Sequence, residues 1–396
     1  MVVPTTTSNG VIGFRRLPDV PILQSAATQY VAATKGNGRS LPNRRAMTNK
    51  PALVRSEQIA VAERLLQQGI ADGLYSHAVT IMSIDGETVV KTAFGKATVD
   101  TIFDLASLTK PLATAMGIMQ LVEDGRLHLL QSVTRFFDDD YGPLPHLADV
   151  EVHHLLTHTS GLPPIPRWPK PAELPQSRHD LIRSALFTPL LRPAGQGYTY
   201  SDTGYILLGE ILTRVAGISQ EKAFDQGVAG RLGLERIGYL PPPARHAAIA
   251  PTGADIAPGS VHDPRARDLG NIAGHAGLFG RAADVLACGE AIRTGGRPLV
   301  SRASAARMST SQIRREIGAQ SLGWFCAGND YLPKGDLFSD RSYGHSGFTG
   351  TLLLIDPEYA ATVVLLTNRV FNEAEDGVRF LKLRRRWTNA MAAAIV

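Results

Sequence analysis

The sharpest chemical feature of the sequence is a serine and a lysine three residues apart, in Asp104-Leu-Ala-Ser107-Leu-Thr-Lys110-Pro111. Residues i and i+3 share one face of a helix, so the Lys110 side chain can reach the Ser107 hydroxyl. A serine hydroxyl is a weak nucleophile until a base takes its proton. A lysine whose pKa is lowered by burial or nearby cations can be that base. The start of a helix adds partial positive charge and backbone N–H groups suited to a developing oxyanion. Two further stretches carry compatible chemistry. Tyr200-Ser201-Asp202 sets a phenol just ahead of an apolar helix. Tyr343-Gly-His345-Ser346-Gly347-Phe348-Thr349-Gly350 leads a small, glycine-flanked backbone into a strong strand, where a substrate can approach closely. Each piece alone has a structural reading: a helix cap, a surface lysine, a packing tyrosine, a surface histidine before a strand. All three together, in this order and each beside a fitting element, argue for a site.

The elements that must position these groups are legible in the spacing of apolar residues. Residues 56–72 read as a helix stopped by Gly73, and 108–124 as a second, with Leu112, Ala115, Met116, Met119, Leu121 and Val122 inward and Gly125 as its end. Residues 77–84 and 88–94 flank Asp85-Gly86 and predict a hairpin on a type I′ turn. A helix is expected over 203–216, strands over 350–355 and 361–367, and a closing helix over about 375–395. Strands from both ends of the chain with helical material between them predict an α+β fold, an antiparallel sheet flanked by helices with a mostly helical insertion. The expected division is 1–50 as an N-terminal extension, 51–104 with 275–396 as the sheet domain, and 105–274 as the helical, loop-rich domain. Pocket shape is expected from the loops of 126–270.

With these pieces assembled, the chain resembles the penicillin-recognising serine hydrolases, whose active-site set is S-x-x-K, then Y-S-D/N, then a K-T-G-like stretch. Flanking segments narrow the resemblance to the class C β-lactamase/esterase branch, including esterases and penicillin-binding-protein-4B-like hydrolases. They are Phe103-Asp-Leu-Ala-Ser-Leu-Thr-Lys110, Leu155-Leu-Thr-His-Thr-Ser-Gly-Leu162, Gly274-His-Ala-Gly-Leu-Phe279 and His345-Ser-Gly-Phe-Thr-Gly350. The similarity spans roughly residues 55–395. It implies a β-lactamase/transpeptidase-like fold, Ser107 as the acylated nucleophile, Lys110 as its base and Tyr200 as a proton shuttle to the leaving group. It further implies an oxyanion hole from the backbone N–H groups of Ser107 and Phe348. Asp202, His345, Ser346, Gly347 and His275 would bind or line the substrate. A small acyl substrate is implied, with no cofactor and no metal.

Two departures from the family pattern bear on the substrate. The lysine of K-T-G is His345 here, and a histidine is mostly neutral at pH 7, which weakens the case for β-lactams and for peptides ending in a free carboxylate. The asparagine of Y-x-N is Asp202, which lacks amide donors and, if close to Lys110, favours the protonated amine. Esters or small amides are the expected substrates. The alternatives are acyl transfer to a biosynthetic alcohol or amine, a D-aminopeptidase or D,D-carboxypeptidase, and a non-catalytic ligand-binding relative.

Other chemistries find little support. There is no G-x-S-x-G elbow, since Gly344-His-Ser346-Gly347 breaks the pattern at Phe348. His154 and His158 have no H-E-x-x-H and read as structural or loop-capping histidines, and Gly36-Asn-Gly38 implies no dinucleotide. Two cysteines, Cys288 and Cys326, exclude a disulfide scaffold. The chain has 396 residues, 44% of them hydrophobic, and no apolar run near the roughly 18 residues of a membrane helix. Its +5 charge is uneven, because residues 1–50 hold seven basic side chains against one acid. No nucleic-acid or membrane partner is read from this, and Lys382, Arg384, Arg385 and Arg386 read as a solvated helix face. Met1–Gly10 lacks a secretory pattern, so a cytoplasmic protein is expected, with an organelle transit peptide as the other reading. The oligomeric state stays open.

Overall fold

The computed structural model describes residues 2–6, 12–16, 54–174, 176–372 and 377–396. The chain divides into two units, residues 1–49 and 50–396. Most of the predicted extension lies outside the described residues. Within it, strands β1 (Val2–Thr6) and β2 (Ile12–Arg16) pair antiparallel, a ladder that the broken composition of this region does not announce.

In the second unit, helix α1 (Ser56–Ala71) leads into strands β3 (His77–Ile84) and β4 (Glu87–Gly95). Their turn has positive φ at both Asp85 (54°) and Gly86 (85°), as a type I′ turn requires. A two-residue strand, β5 (Phe103–Asp104), precedes the serine. The predicted helix over 108–124 forms with an irregular start: a 3₁₀ turn at Ala106–Leu108, a wide π-helical stretch at Lys110–Ala115, and then α2 (Met116–Glu123). Pro111 has no N–H to donate and sits in the wide turn, the local reason that ordinary α-helical bonding is not kept there. Helix α3 (Asp202–Ala216) carries Tyr200 just ahead of it, and Gly217, in the left-handed region at φ 73°, ends it.

The later part of the chain supplies β6 (Phe279–Gly280), α4 (Ala282–Arg293), and strands β7 (Phe325–Cys326), β8 (Tyr343–Ser346), β9 (Leu352–Asp356) and β10 (Ala361–Thr367). Helix α5 (Val378–Ala393) closes the fold. The main sheet has six antiparallel strands in the order β4-β3-β10-β9-β8-β7, so the last strand of the chain pairs with the first hairpin of this unit. The expected antiparallel α+β fold, built from both ends of the chain, is what forms. The His345 stretch itself is a strand, β8, in register with β9 through His345 opposite Leu353.

Both faces of the sheet are covered, which is why β9 and β10 read as unbroken apolar runs with no alternation. Leu352, Leu354, Val363 and Leu365 pack with Leu66 of α1 and Phe380, Trp387 and Met391 of α5. Leu353, Ile355, Val364 and Leu366 join the other core, with Val285 and Ile292 of α4 and the helical segments. No helix among the described residues is long and apolar enough to cross a membrane.

Candidate active site

Ser107 sits in the tight turn between β5 and the wide helical stretch, and the backbone around it is tied down from several sides. Ala106, the residue before it, is held at φ 47°, a conformation that costs an L-residue energy and persists only where neighbours impose it. Asp104 imposes it in part: its Oδ1 accepts from Ala106 N at 2.8 Å and its Oδ2 from His262 N at 2.7 Å. Burial nonetheless raises the Asp104 pKa to about 6.

Lys110 is completely buried and its amine makes three contacts. Nζ donates to Ser107 Oγ at 2.9 Å and to the His275 carbonyl at 3.0 Å, and it faces Asp202 Oδ1 at 2.7 Å. Burial pulls its pKa below the ordinary lysine value, although Asp202 and, behind it, Asp263 act in the opposite direction. The site therefore holds a desolvated amine on the hydroxyl, with a carboxylate that partly offsets the loss of basicity that burial imposes. Replacing Asp202 by asparagine removes the first of those opposing charges and lowers the Lys110 pKa further. If neutral Lys110 is the working base, the acid limb of a kcat/KM–pH profile moves to lower pH in Asp202→Asn. An unmoved limb, or one moved to higher pH, would contradict that assignment.

Tyr200 reaches the same serine from the opposite segment. Its hydroxyl faces Ser107, and burial and then the Asp202 charge hold its pKa well above the ordinary tyrosine value. The ring stacks on Tyr331 with centroids 5.2 Å apart and lies 5.6 Å from Phe325. His158 steers this segment by accepting from Ser201 N on Nδ1 at 3.0 Å, and burial keeps its imidazole pKa well below the usual range. His154 closes a capping box with Glu151. Both histidines thus have the structural roles read from the sequence.

The third predicted segment approaches through Gly347. A Cβ there would lie 2.7 Å from the Leu105 carbonyl and 2.2 Å from Thr351 Oγ1, so only glycine permits this approach. Thr349 and Thr351 fasten the contact by donating their hydroxyls to the carbonyls of Asp104 (2.8 Å) and Leu105 (3.1 Å). The backbone of Phe348 is thereby carried to the turn that holds Ser107. Its side chain is 63% exposed over the site and stacks on His262.

Three expected substrate contacts are placed differently. His345 is fully buried, stacked on Phe325 at 4.1 Å, with Nδ1 on the Ser346 carbonyl at 2.9 Å. Burial and then Lys110 hold its pKa well below the ordinary value, so it brings no cation to a substrate. His275 is also buried, and its Nε2 meets Asp263 Oδ1 at 2.9 Å. Asp202 faces Lys110 and is not among the residues that line the cavity. All three lie around Lys110 and none lines the cavity.

The cavity over Ser107 has a volume of about 770 Å³. Apart from Ser107 and Tyr200 its walls come from residue 325 onward, including Tyr331, Ser346, Gly347, Phe348, Arg369 and Arg384. The expectation that the 126–270 loops shape it is corrected, because that region packs around the helical core. The C-terminal basic cluster is corrected too: Lys382, Arg385 and Arg386 are exposed, whereas Arg384 is buried. Sequence reasoning also missed Asp263, which burial would raise but which His275 and Arg265 hold well below the usual carboxylate range. Its Oδ2 lies 2.7 Å from Arg265, whose guanidinium is 4.0 Å from Asp202. No spacing signal connects residue 263 to 110.

Known proteins of similar sequence carry related names. The chain is 29% identical over 313 residues to an Escherichia coli (strain K12) protein provisionally named D-alanyl-D-alanine carboxypeptidase, covering 71% of this chain and 72% of that one. It is 27% identical over 398 residues to an N-acetylmuramyl-L-alanine amidase of Bacillus subtilis (strain 168), covering 87% and 88%. Among solved structures, EstCE1, described as a hydrolase with promiscuous acyltransferase activity, superposes with a TM-score of 0.69 at 23% identity over 84% of this chain and 98% of its own. The family model described as Beta-lactamase matches residues 62–385, and with the serine-hydrolase fold in place the chain belongs to that family.

Proposed function

We propose that this protein is a cofactor-free serine hydrolase that works through an acyl-enzyme on Ser107, with esters or small amides as substrates. The observation that carries the reading is a buried amine 2.9 Å from the serine hydroxyl, with the Tyr200 ring 4.9 Å from that amine. Neutral Lys110 takes the Ser107 proton as Oγ bonds to the acyl carbon. The backbone N–H groups of Ser107 and Phe348 hold the developing oxyanion. Tyr200, kept protonated, gives its proton to the leaving oxygen or nitrogen as that bond breaks, and regains one directly from the Lys110 ammonium beside it. Water then enters, loses a proton along the same route in reverse, and releases the acid.

The absence of a cation at His345 supports esters over β-lactams. Turnover of a panel of short- and long-chain p-nitrophenyl esters, D-amino acid amides and a cephalosporin tests the reading. Ester or amide release with little cephalosporin opening is expected. Cephalosporin as the best substrate, or turnover of none, would overturn it. Added alcohols or amines that divert the acyl group into new products would instead assign the enzyme to acyl transfer.

A further inference from the structure

Among the described residues only two lysine or arginine side chains are buried, Lys110 and Arg384. Burial of Lys110 is explained by its contacts with Ser107, His275 and Asp202. Arg384, 5% exposed, has no comparable set. No carboxylate of the described residues lies within ion-pair distance of its guanidinium, and its Nε is buried without a hydrogen-bond partner. Its neighbour is a second cation, Arg369, equally without a carboxylate among the described residues. The two guanidinium carbons stand 5.3 and 5.7 Å from the Phe380 ring centroid, and that of Arg369 also lies 4.5 Å over Phe348. Both arginines line the Ser107 cavity. Burial, with Arg369 alongside, pushes the Arg384 pKa down to about 9. An uncompensated buried charge is unfavourable, and a pair of like charges more so, unless an anion completes the site.

We propose that Arg369 and Arg384 form an anion subsite in the Ser107 cavity that takes a carboxylate carried by the acyl substrate away from its scissile bond. This rests on the acyl-enzyme reading and narrows its substrate class to anionic esters or amides. The residue stacked under Arg369 is Phe348, whose backbone N–H serves the oxyanion. A substrate with its carbonyl at Ser107 therefore lies one aromatic ring from the first guanidinium. Planar, bidentate donors on both arginines suit a carboxylate. The cation that His345 does not supply is thus supplied from another wall.

The test compares mono-p-nitrophenyl glutarate with its neutral methyl ester in the full-length protein. The wild type should prefer the carboxylate form in kcat/KM. In Arg384→Met the ratio of the two values should fall about 30-fold or more, the range for truncating one partner of a buried charged pair. Arg369→Met should lower the same ratio, and decides the matter if the first variant does not fold. Independently of catalysis, free glutarate should raise the Tm of the wild type and leave that of Arg384→Met unchanged. A wild-type ratio near one while Ser107 is still acylated, or a ratio untouched by both variants, overturns the anion subsite and leaves the acyl-enzyme standing. Glutarate protection without acylation by either ester keeps the subsite and removes the enzyme reading.

Discussion

Replacing Ser107 by alanine should lower kcat/KM for an activated ester by about 10⁴-fold or more, the scale seen when a serine nucleophile is removed. The fold should survive, because the hydroxyl is not what satisfies its neighbours. Lys110 keeps Asp202 at 2.7 Å and the His275 carbonyl at 3.0 Å, and Tyr200 stays stacked on Tyr331. The strained Ala106 is held by Asp104, not by Ser107. Ester kinetics beside a thermal melt separate the two effects. A variant within tenfold of the wild type would mean that the chemistry lies elsewhere or that the protein only binds its ligand.

Lys110→Met should be nearly as damaging, at about 10²–10⁴-fold in kcat/KM, the usual contribution of a positioned general base. Methionine keeps the length and apolar stem while removing the amine. Taking a fully buried charge away costs little stability where its partner is not stranded, and Asp202 is 20% exposed with Arg265 at 4.0 Å. A merely structural lysine would give the opposite pattern, with a lower Tm and retained turnover. The pH profile adds a second criterion. The acid limb assigned to Lys110 should vanish in this variant, whereas Asp202→Asn only displaces it.

The sequence made the framework and the central trio visible because both rest on local signals. Asp85-Gly86 between apolar runs dictates a hairpin, and Leu352–Asp356 and Ala361–Thr367 are apolar enough to be buried strands whatever their partners. Ser107 and Lys110 lie on one turn, so their contact needs only a helix. What stayed hidden depends on long-range packing. The wide turn at Lys110–Ala115 needs Pro111 together with Thr114, whose hydroxyl is on the Gly274 carbonyl at 2.7 Å. Strand β8 is four residues, three of them small or polar, and no periodicity marks it. His345 and His275 look exposed in sequence because histidine usually is. Phe325 and Asp263, each placed by a different part of the chain, bury them. Arg384 hides among neighbours that do face solvent, and only the orientation of α5 against the sheet separates it from Arg385.

The most direct measurement is intact-protein and peptide mass spectrometry after exposing the folded chain to a p-nitrophenyl ester, a fluorophosphonate or a penicillin. A single added acyl or phosphonyl mass is expected on the peptide bearing residue 107, from at least one probe, and none in Ser107→Ala. No adduct from any of the three, or one on another side chain, would contradict the buried amine–hydroxyl pair as the seat of catalysis.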